Sequence, residues 1–131
     1  MINKNKLKEL LKYIGFTEIN GVFKKYYPNN GDISVNINRN EIRYPDDLIV
    51  NDKTTSNLEK EENIVVLECV NRLLEKGYYS KNIELEPRWK VGGGASGGKS
   101  DILIKDNIGD QYLIIECKTY GEKFNNAWKK M

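Results

Sequence analysis

Three residues near the C-terminal end have the types and the spacing needed to hold a divalent cation beside a phosphate: Asp101, Glu116 and Lys118. Asp101 directly precedes a short apolar run, and Glu116 and Lys118 close the next one. If these runs are paired strands, Asp101 lies beside Glu116, and Lys118 shares the face of Glu116 because side chains alternate along a strand. Two such carboxylates are unfavourable unless a cation or a substrate lies between them. Mg²⁺ takes oxygen ligands, usually with one or two protein carboxylates, so the sequence predicts a Mg²⁺ site.

Two short strands and a polar turn must position this group. Residues 102–104 and 112–118 are the predicted strands, and residues 106–110 are the predicted turn. Residues 83–91 alternate apolar and charged side chains and predict another strand of the same sheet. A further helix is predicted from Glu122 onward.

A helix is predicted over residues 61–76, because apolar side chains repeat there with helical period and Gly77 follows. Glu62 lies at the edge of the apolar face, one turn before Val66, which makes it a candidate for the site. Glu62 could equally complement the positive N-terminus of the helix. The opposite, solvated face is predicted to carry Glu68, Asn71, Arg72 and Glu75.

The first part of the chain predicts a helix followed by a small β-meander. Residues 4–14 carry leucines at helical spacing before Gly15, and three short apolar segments follow, separated by turn residues. The predicted strands are 23–27, 33–37 and 42–44. The polar stretch 51–60 suggests a boundary between an N-terminal appendage, 1–52, and a second unit, 53–131. The appendage is either a scaffold or a surface that contacts DNA or a partner.

Residues 93–100 match the pattern of a nucleotide-binding P-loop, which ends in Lys99-Ser100. A P-loop runs from a strand into a helix whose N-terminus faces the phosphates. Here the segment after Ser100 predicts a strand, so ATP binding is disfavoured. Lys99 and Ser100 are instead candidates for contact with a DNA phosphate. A purely structural glycine turn is the alternative.

Composition excludes several classes of site. The chain has 131 residues, a net charge of +2 and no histidine, which removes Ser-His, Cys-His and histidine-metal chemistry. A domain that binds DNA only through non-specific phosphate contacts would be more positive, so DNA contacts must be local or be supplied by another domain. Cys69 and Cys117 have apolar neighbours and predict buried free thiols of a cytoplasmic protein. No apolar run approaches the ~20 residues needed to span a bilayer, so no membrane partner is predicted.

The pattern of Asp101 followed by Glu116-Cys117-Lys118 at the end of an apolar strand resembles the PD-(D/E)xK nuclease superfamily. The chain is also similar to a narrower group within this superfamily. Three segments carry this similarity: the helix that follows Lys60-Glu61-Glu62 and ends at 76–78, the run 99–104 and the run 112–118. The members of this group are the N-terminal nuclease domains of restriction–modification enzymes, of the type I R-subunit kind. In that group the nuclease is fused to a motor or to an adenine methyltransferase.

The resemblance implies an α/β (α+β) fold, with a restriction-endonuclease-like mixed β-sheet core in αβββαβ order flanked by helices. It implies Mg²⁺-dependent hydrolysis of DNA phosphodiesters, with Mn²⁺ able to substitute. Asp101, Glu116 and the main-chain carbonyl of Cys117 would hold the metal, and Lys118 would orient the attacking water. Glu62 would bind a second metal or a metal-bound water. S-adenosylmethionine would serve only a methyltransferase domain absent from this chain.

The implied partners are DNA and the methyltransferase and specificity domains or subunits of an intact enzyme in a prokaryotic cytoplasm. Members of the group continue with a Gln-rich helix, so the nuclease core is expected to be cut short at its C-terminus, which leaves the activity of the isolated chain open. Two alternatives remain. One is a structure-specific DNA nuclease of the junction-resolvase kind, and the other is a non-catalytic nucleic-acid-binding module that retains the fold.

Overall fold

The computed structural model describes residues 3–87, 101–106 and 111–117. Within these ranges the protein is a mixed α and β structure with two α-helices and two four-stranded sheets. The coarse fold class predicted from the sequence is therefore confirmed. Neither helix in these ranges combines the length and the apolar character needed to span a membrane.

Helix α1 spans Lys4–Tyr13 and is capped by Asn3. The Asn3 side chain accepts hydrogen bonds from the backbone N–H groups of Asn5 and Lys6 at 2.9 and 3.2 Å. Such a cap satisfies donors that have no partner inside the helix. Leu7 and Leu11 are buried, and Gly15 follows with φ +103°, a conformation that favours glycine. The predicted helix and its stop are confirmed.

The first sheet is an antiparallel meander in the order β1-β2-β3-β4. Its strands are β1 Thr17–Ile19, β2 Val22–Tyr27, β3 Gly31–Asn36 and β4 Glu41–Arg43. Asn20 and Gly21, with φ 53° and 83°, form the two-residue turn between β1 and β2. Asn-Gly favours this turn because both central residues need a positive φ. The meander was predicted, but β1 was not, because its three residues are all exposed and show no apolar alternation.

The second sheet has the order β5-β6-β7-β8. Its strands are β5 Ile49–Val50, β6 Ile83–Leu85, β7 Ile102–Lys105 and β8 Gln111–Ile115. β5 pairs with β6 in parallel, whereas the other pairs are antiparallel. The predicted pairing of the last two strands is confirmed, with Ile102 opposite Ile115. β8 ends at Ile115, so Glu116 and Cys117 follow the strand.

Helix α2 spans Glu61–Glu75, as predicted. Asn71, which the helical wheel assigned to the solvated face, is only 2% exposed. The assignment was wrong because Asn71 has polar partners inside: its Oδ1 accepts from the Tyr27 hydroxyl at 2.6 Å and from Lys25 Nζ at 2.7 Å. The apolar side chains buried by the helix are Ile64, Val66, Leu67, Val70, Leu73 and Leu74.

One buried cluster contains side chains from both sheets and both helices, including Phe23, Leu67 and Ile102. β5, which lies before the predicted boundary at residue 52, pairs with a strand that lies after it. The division into 1–52 and 53–131 stays a prediction. The predicted glycine loop and the predicted C-terminal helix lie outside the described residues.

Candidate functional site

Asp101 lies directly before β7, where its backbone bonds to two other segments. Its N–H donates to the carbonyl of Ile115 at 3.2 Å, and its own carbonyl accepts from the N–H of Glu86 at 2.9 Å. The antiparallel register of β7 and β8 requires this position, because Asp101 continues β7 backward while 116–117 continues β8 forward. The segments that carry Asp101 and Glu116 are thus brought together.

The carboxylate of Asp101 is held by the main chain of the next segment. Its Oδ2 accepts a hydrogen bond from the backbone N–H of Cys117 at 2.7 Å. The Cys117 side chain is buried at 7% exposure, while Glu116 is exposed. One residue, Cys117, therefore both packs in the core and fixes the position of the Asp101 carboxylate.

The charge balance around Asp101 raises its pKa. Burial is the largest cause; the hydrogen bond from Cys117 opposes it, and the negative charges of Glu62, Glu116 and Glu86 add to it. Three other carboxylates therefore lie within electrostatic reach of Asp101. A cation bound among them would remove this repulsion and favour the ionised form of Asp101.

The two glutamates of α2 have different surroundings. Glu62 is exposed in the first turn of the helix, and its charge acts on both Asp101 and Cys117. Glu68 lies on a different side of the helix, where its Oε1 forms an ion pair with Arg72 at 3.2 Å. Glu62, and not Glu68, is among the charges that raise the pKa of Asp101, and its role in the site stays a prediction. Its position in the first turn is also compatible with a role at the helix N-terminus.

Glu86 has a role that the sequence did not indicate. It has φ 52°, and its carboxylate accepts five hydrogen bonds of 2.7–3.0 Å from the segment 52–55. Burial acts to raise the pKa of Glu86, but bonds from Thr54, Thr55 and Asp52 outweigh it and hold the pKa below its ordinary value. The sequence signal for this contact is the polar segment 52–55, which is rich in hydroxyl and N–H donors. Such donors need an acceptor when they are partly buried.

The two cysteines are free thiols, as predicted, with Cys117 buried and Cys69 half-buried. Interaction with Cys117 lowers the pKa of Cys69, whereas interaction with Cys69 and burial both raise the pKa of Cys117. The Tyr44 hydroxyl is buried nearby and has no hydrogen-bond partner among the described residues. Burial raises the pKa of Tyr44, and the neighbouring Cys117 and Glu86 raise it further.

Lys118, Lys99 and Ser100, which complete the predicted site, lie outside the described residues. Within 3–87, 101–106 and 111–117, no group of three or more Asp, Glu or Cys side chains has the arrangement of a metal site. Mg²⁺ often takes only one or two protein carboxylates and fills its remaining positions with water and substrate. Carboxylate oxygens such as those of Asp101 and Glu116 are donors of the right chemistry for such a site.

The segment after residues 99–100 is a β-strand, as predicted. A nucleotide P-loop would require a helix at this place. The match of this stretch to the P-loop pattern therefore lacks its structural context.

Comparison with known proteins gives no match: no protein-family model, curated protein or solved structure matches this chain.

Proposed function

We propose that this chain is a Mg²⁺-dependent DNA endonuclease domain of a restriction–modification enzyme, with a restriction-endonuclease-like sheet at its core. The observation that supports the proposal is the convergence on Asp101. Its carboxylate is bound to the segment after β8, and the charges of Glu62 and Glu116 act on it. A repelling group of carboxylates on adjacent strand ends is an arrangement that a divalent cation stabilises.

In this proposal Asp101, Glu116 and the main-chain carbonyl of Cys117 hold the metal, with Mn²⁺ able to replace Mg²⁺. The metal would polarise the scissile phosphate and lower the pKa of a bound water. The N–H of Cys117 fixes Oδ2 of Asp101, which leaves Oδ1 as the ligand atom. Glu62 receives and orients a water from the side of α2.

Lys118 completes the proposed machinery by orienting the attacking water and neutralising charge on the phosphate. Lys99 and Ser100 contact the DNA backbone, which requires donors rather than sequence-reading groups. DNA recognition, methylation with S-adenosylmethionine and the choice of cleavage position belong to other domains or subunits of the enzyme. The chain works in this proposal in a prokaryotic cytoplasm.

The test is a calorimetric Mn²⁺ titration of the wild-type chain beside Asp101→Asn and Glu116→Gln. Glu68→Gln is the matched control, because it removes the same charge from a carboxylate that is paired with Arg72. We expect saturable binding in the wild type and the control, and at least a tenfold loss of affinity in the two site variants. Equal affinity in all four proteins would refute the metal site.

Cleavage is then measured on supercoiled and linear plasmid DNA in Mg²⁺, with Lys118→Ala as the variant that retains the carboxylates. We expect Lys118→Ala to bind Mn²⁺ but to lose cleavage. Saturable metal binding with cleavage unchanged in Lys118→Ala would remove Lys118 from the machinery. Metal binding with no cleavage by a chain extended beyond residue 131 would favour the non-catalytic module.

A further inference from the structure

The first sheet has one face that does not pack against the core. The side chains on the inner face of this sheet, among them Phe23, Ile33 and Val35, are fully buried against α1 and α2. The alternate side chains point the other way and line a depression with a volume of about 770 Å³, and we call this surface the outer face. Among the residues that line the outer face are its five charged side chains: Lys24, Asp32, Arg39, Glu41 and Arg43.

The strand register aligns four of the outer-face residues in a line across the sheet. Thr17 is opposite Lys24, Lys24 is opposite Ser34, and Ser34 is opposite Arg43. We call this line the cationic row. Neighbouring strands are about 4.8 Å apart, so the row is about 14 Å long. Hydroxyl and cationic groups alternate along it, and each of these groups can donate to an anionic oxygen.

The charge on the outer face favours an anion. Three cationic and two anionic side chains line it. Glu41 pairs with Arg43 at 2.7 Å in an exposed position, where such pairs are weak and exchange readily with other partners. Lys24 has no carboxylate partner among the described residues and lies between two hydroxyl side chains.

Exposed apolar and aromatic side chains lie on both sides of the row. Tyr26, two residues along β2 from Lys24, is 68% exposed, and Ile19, on the other side of the row, is 67% exposed. An exposed tyrosine beside a line of cationic and hydroxyl groups is the combination by which sheet surfaces bind unpaired nucleotides, with the phosphates on cations and a base stacked on the ring.

We propose that the outer face binds single-stranded nucleic acid, with the backbone phosphates along the cationic row and a base on Tyr26. A duplex fits less well, because its grooves accept a helix or a two-stranded ribbon rather than the concave face of a four-stranded sheet. That the strand is DNA rests on the proposed function; the surface itself does not depend on the metal site.

The test measures binding of a dye-labelled oligothymidylate of about 12 nucleotides to the full chain by fluorescence anisotropy, in EDTA and over a range of salt. The variants are Lys24→Gln, Arg43→Gln and Tyr26→Ala. Lys4→Gln is the matched control, since Lys4 is exposed on α1, whose leucines pack on the opposite side of the sheet. All four side chains have exposed positions, and far-ultraviolet circular dichroism verifies the fold.

We expect Lys24→Gln and Arg43→Gln each to reduce the slope of log affinity against log salt by about 0.7, the value for one phosphate contact on a single strand. Tyr26→Ala should weaken binding about fivefold or more at every salt concentration. Lys4→Gln should change neither quantity.

Three results would overturn the proposal. Equal effects of Lys4→Gln and Lys24→Gln would mean diffuse charge attraction. Tighter binding to a duplex of the same length, with the same sensitivity to the variants, would contradict the single-strand assignment. Binding to polyglutamate that Lys24→Gln and Arg43→Gln weaken, without any binding to the oligonucleotide, would assign the outer face to an acidic protein.

The outcome is separable from that of the proposed function by including Asp101→Asn. This variant should keep oligonucleotide binding in EDTA while losing metal-dependent cleavage. Oligonucleotide binding that the row variants weaken, without cleavage by any form of the chain, would refute the nuclease proposal and support the binding surface. Cleavage together with oligonucleotide binding that the row variants leave unchanged would refute the binding surface and support the nuclease.

Discussion

Glu86→Gln should destabilise the protein although it removes only one charge and almost no volume. The five donors on this carboxylate are the backbone N–H groups of Asp52, Lys53 and Thr55 and the hydroxyls of Thr54 and Thr55. A glutamine can place its oxygen where Oε1 accepts from Asp52 and Lys53. Its amide nitrogen then replaces Oε2 and faces the N–H of Thr55, which loses its acceptor, whereas the two hydroxyls can rotate to accept.

The expected cost follows from this count. A buried N–H without a partner costs about 1–3 kcal/mol, and each remaining bond loses the strength that a charged acceptor gives. Glu86 is only partly buried, which favours the lower part of the range. We expect a loss of about 2 kcal/mol in the free energy of unfolding, or about 6–10 °C in melting temperature for a domain of this size.

Thermal and urea unfolding at neutral pH measure this loss, with Glu9→Gln on α1 as the control for removing an exposed charge. The pKa of Glu86 is lowered by folding, so its contribution is present above the unfolded pKa of about 4.3 and is lost as pH falls through the lower folded value. The difference between wild type and Glu86→Gln should therefore be constant above about pH 5 and shrink below about pH 4. A melting temperature within about 1 °C of wild type at neutral pH would refute the reasoning.

The remaining predictions concern Asp101, Asn71 and Gly21. Folding raises the pKa of Asp101, so the native state binds the proton more tightly than the unfolded state, and in EDTA this group makes the protein more stable as pH falls toward that pKa. Thermal unfolding of Asp101→Asn at neutral pH should therefore show a gain in stability below about 1 kcal/mol. Added Mn²⁺ should not increase the stability of this variant. Asn71→Ala should cost about 2–3 kcal/mol in urea unfolding, since it leaves the buried Tyr27 hydroxyl without its acceptor, and a smaller additional loss when Tyr27→Phe is already present would confirm the coupling. Gly21→Ala should cost at least about 1 kcal/mol, because its φ is +83° and the added Cβ lies 3.2 Å from Asn38 Nδ2; an unchanged midpoint would contradict the turn geometry.

The features predictable from the sequence are those that local patterns determine. Both helices follow from apolar residues at helical spacing and a terminal glycine. The proximity of Asp101 to the segment that carries Glu116 follows from the antiparallel pairing of two apolar segments that lie close together in the sequence.

The features that were missed depend on partners distant in the sequence. Asn71 is buried because Lys25 and Tyr27 of another element supply its hydrogen bonds, and a helical wheel contains no such information. Glu86 binds a segment more than thirty residues earlier, and its positive φ exists only because those bonds compensate the strain. Residue types limited what these side chains could do, but the fold decided which partners they met.

The two sheets differ in the length of chain between their paired strands, and this difference predicts an order of folding. Every strand pair of the first sheet joins consecutive strands through a short turn. The second sheet needs β5 to meet β6 across residues 51–82, and β6 to meet β7 across residues 86–101. Closing a longer loop costs more chain entropy before any contact rewards it, and contacts of large sequence separation form slowly. The meander and the β7–β8 pair, which includes the hydrogen bond of Cys117 to Asp101, should therefore form before β5 and β6 join the second sheet.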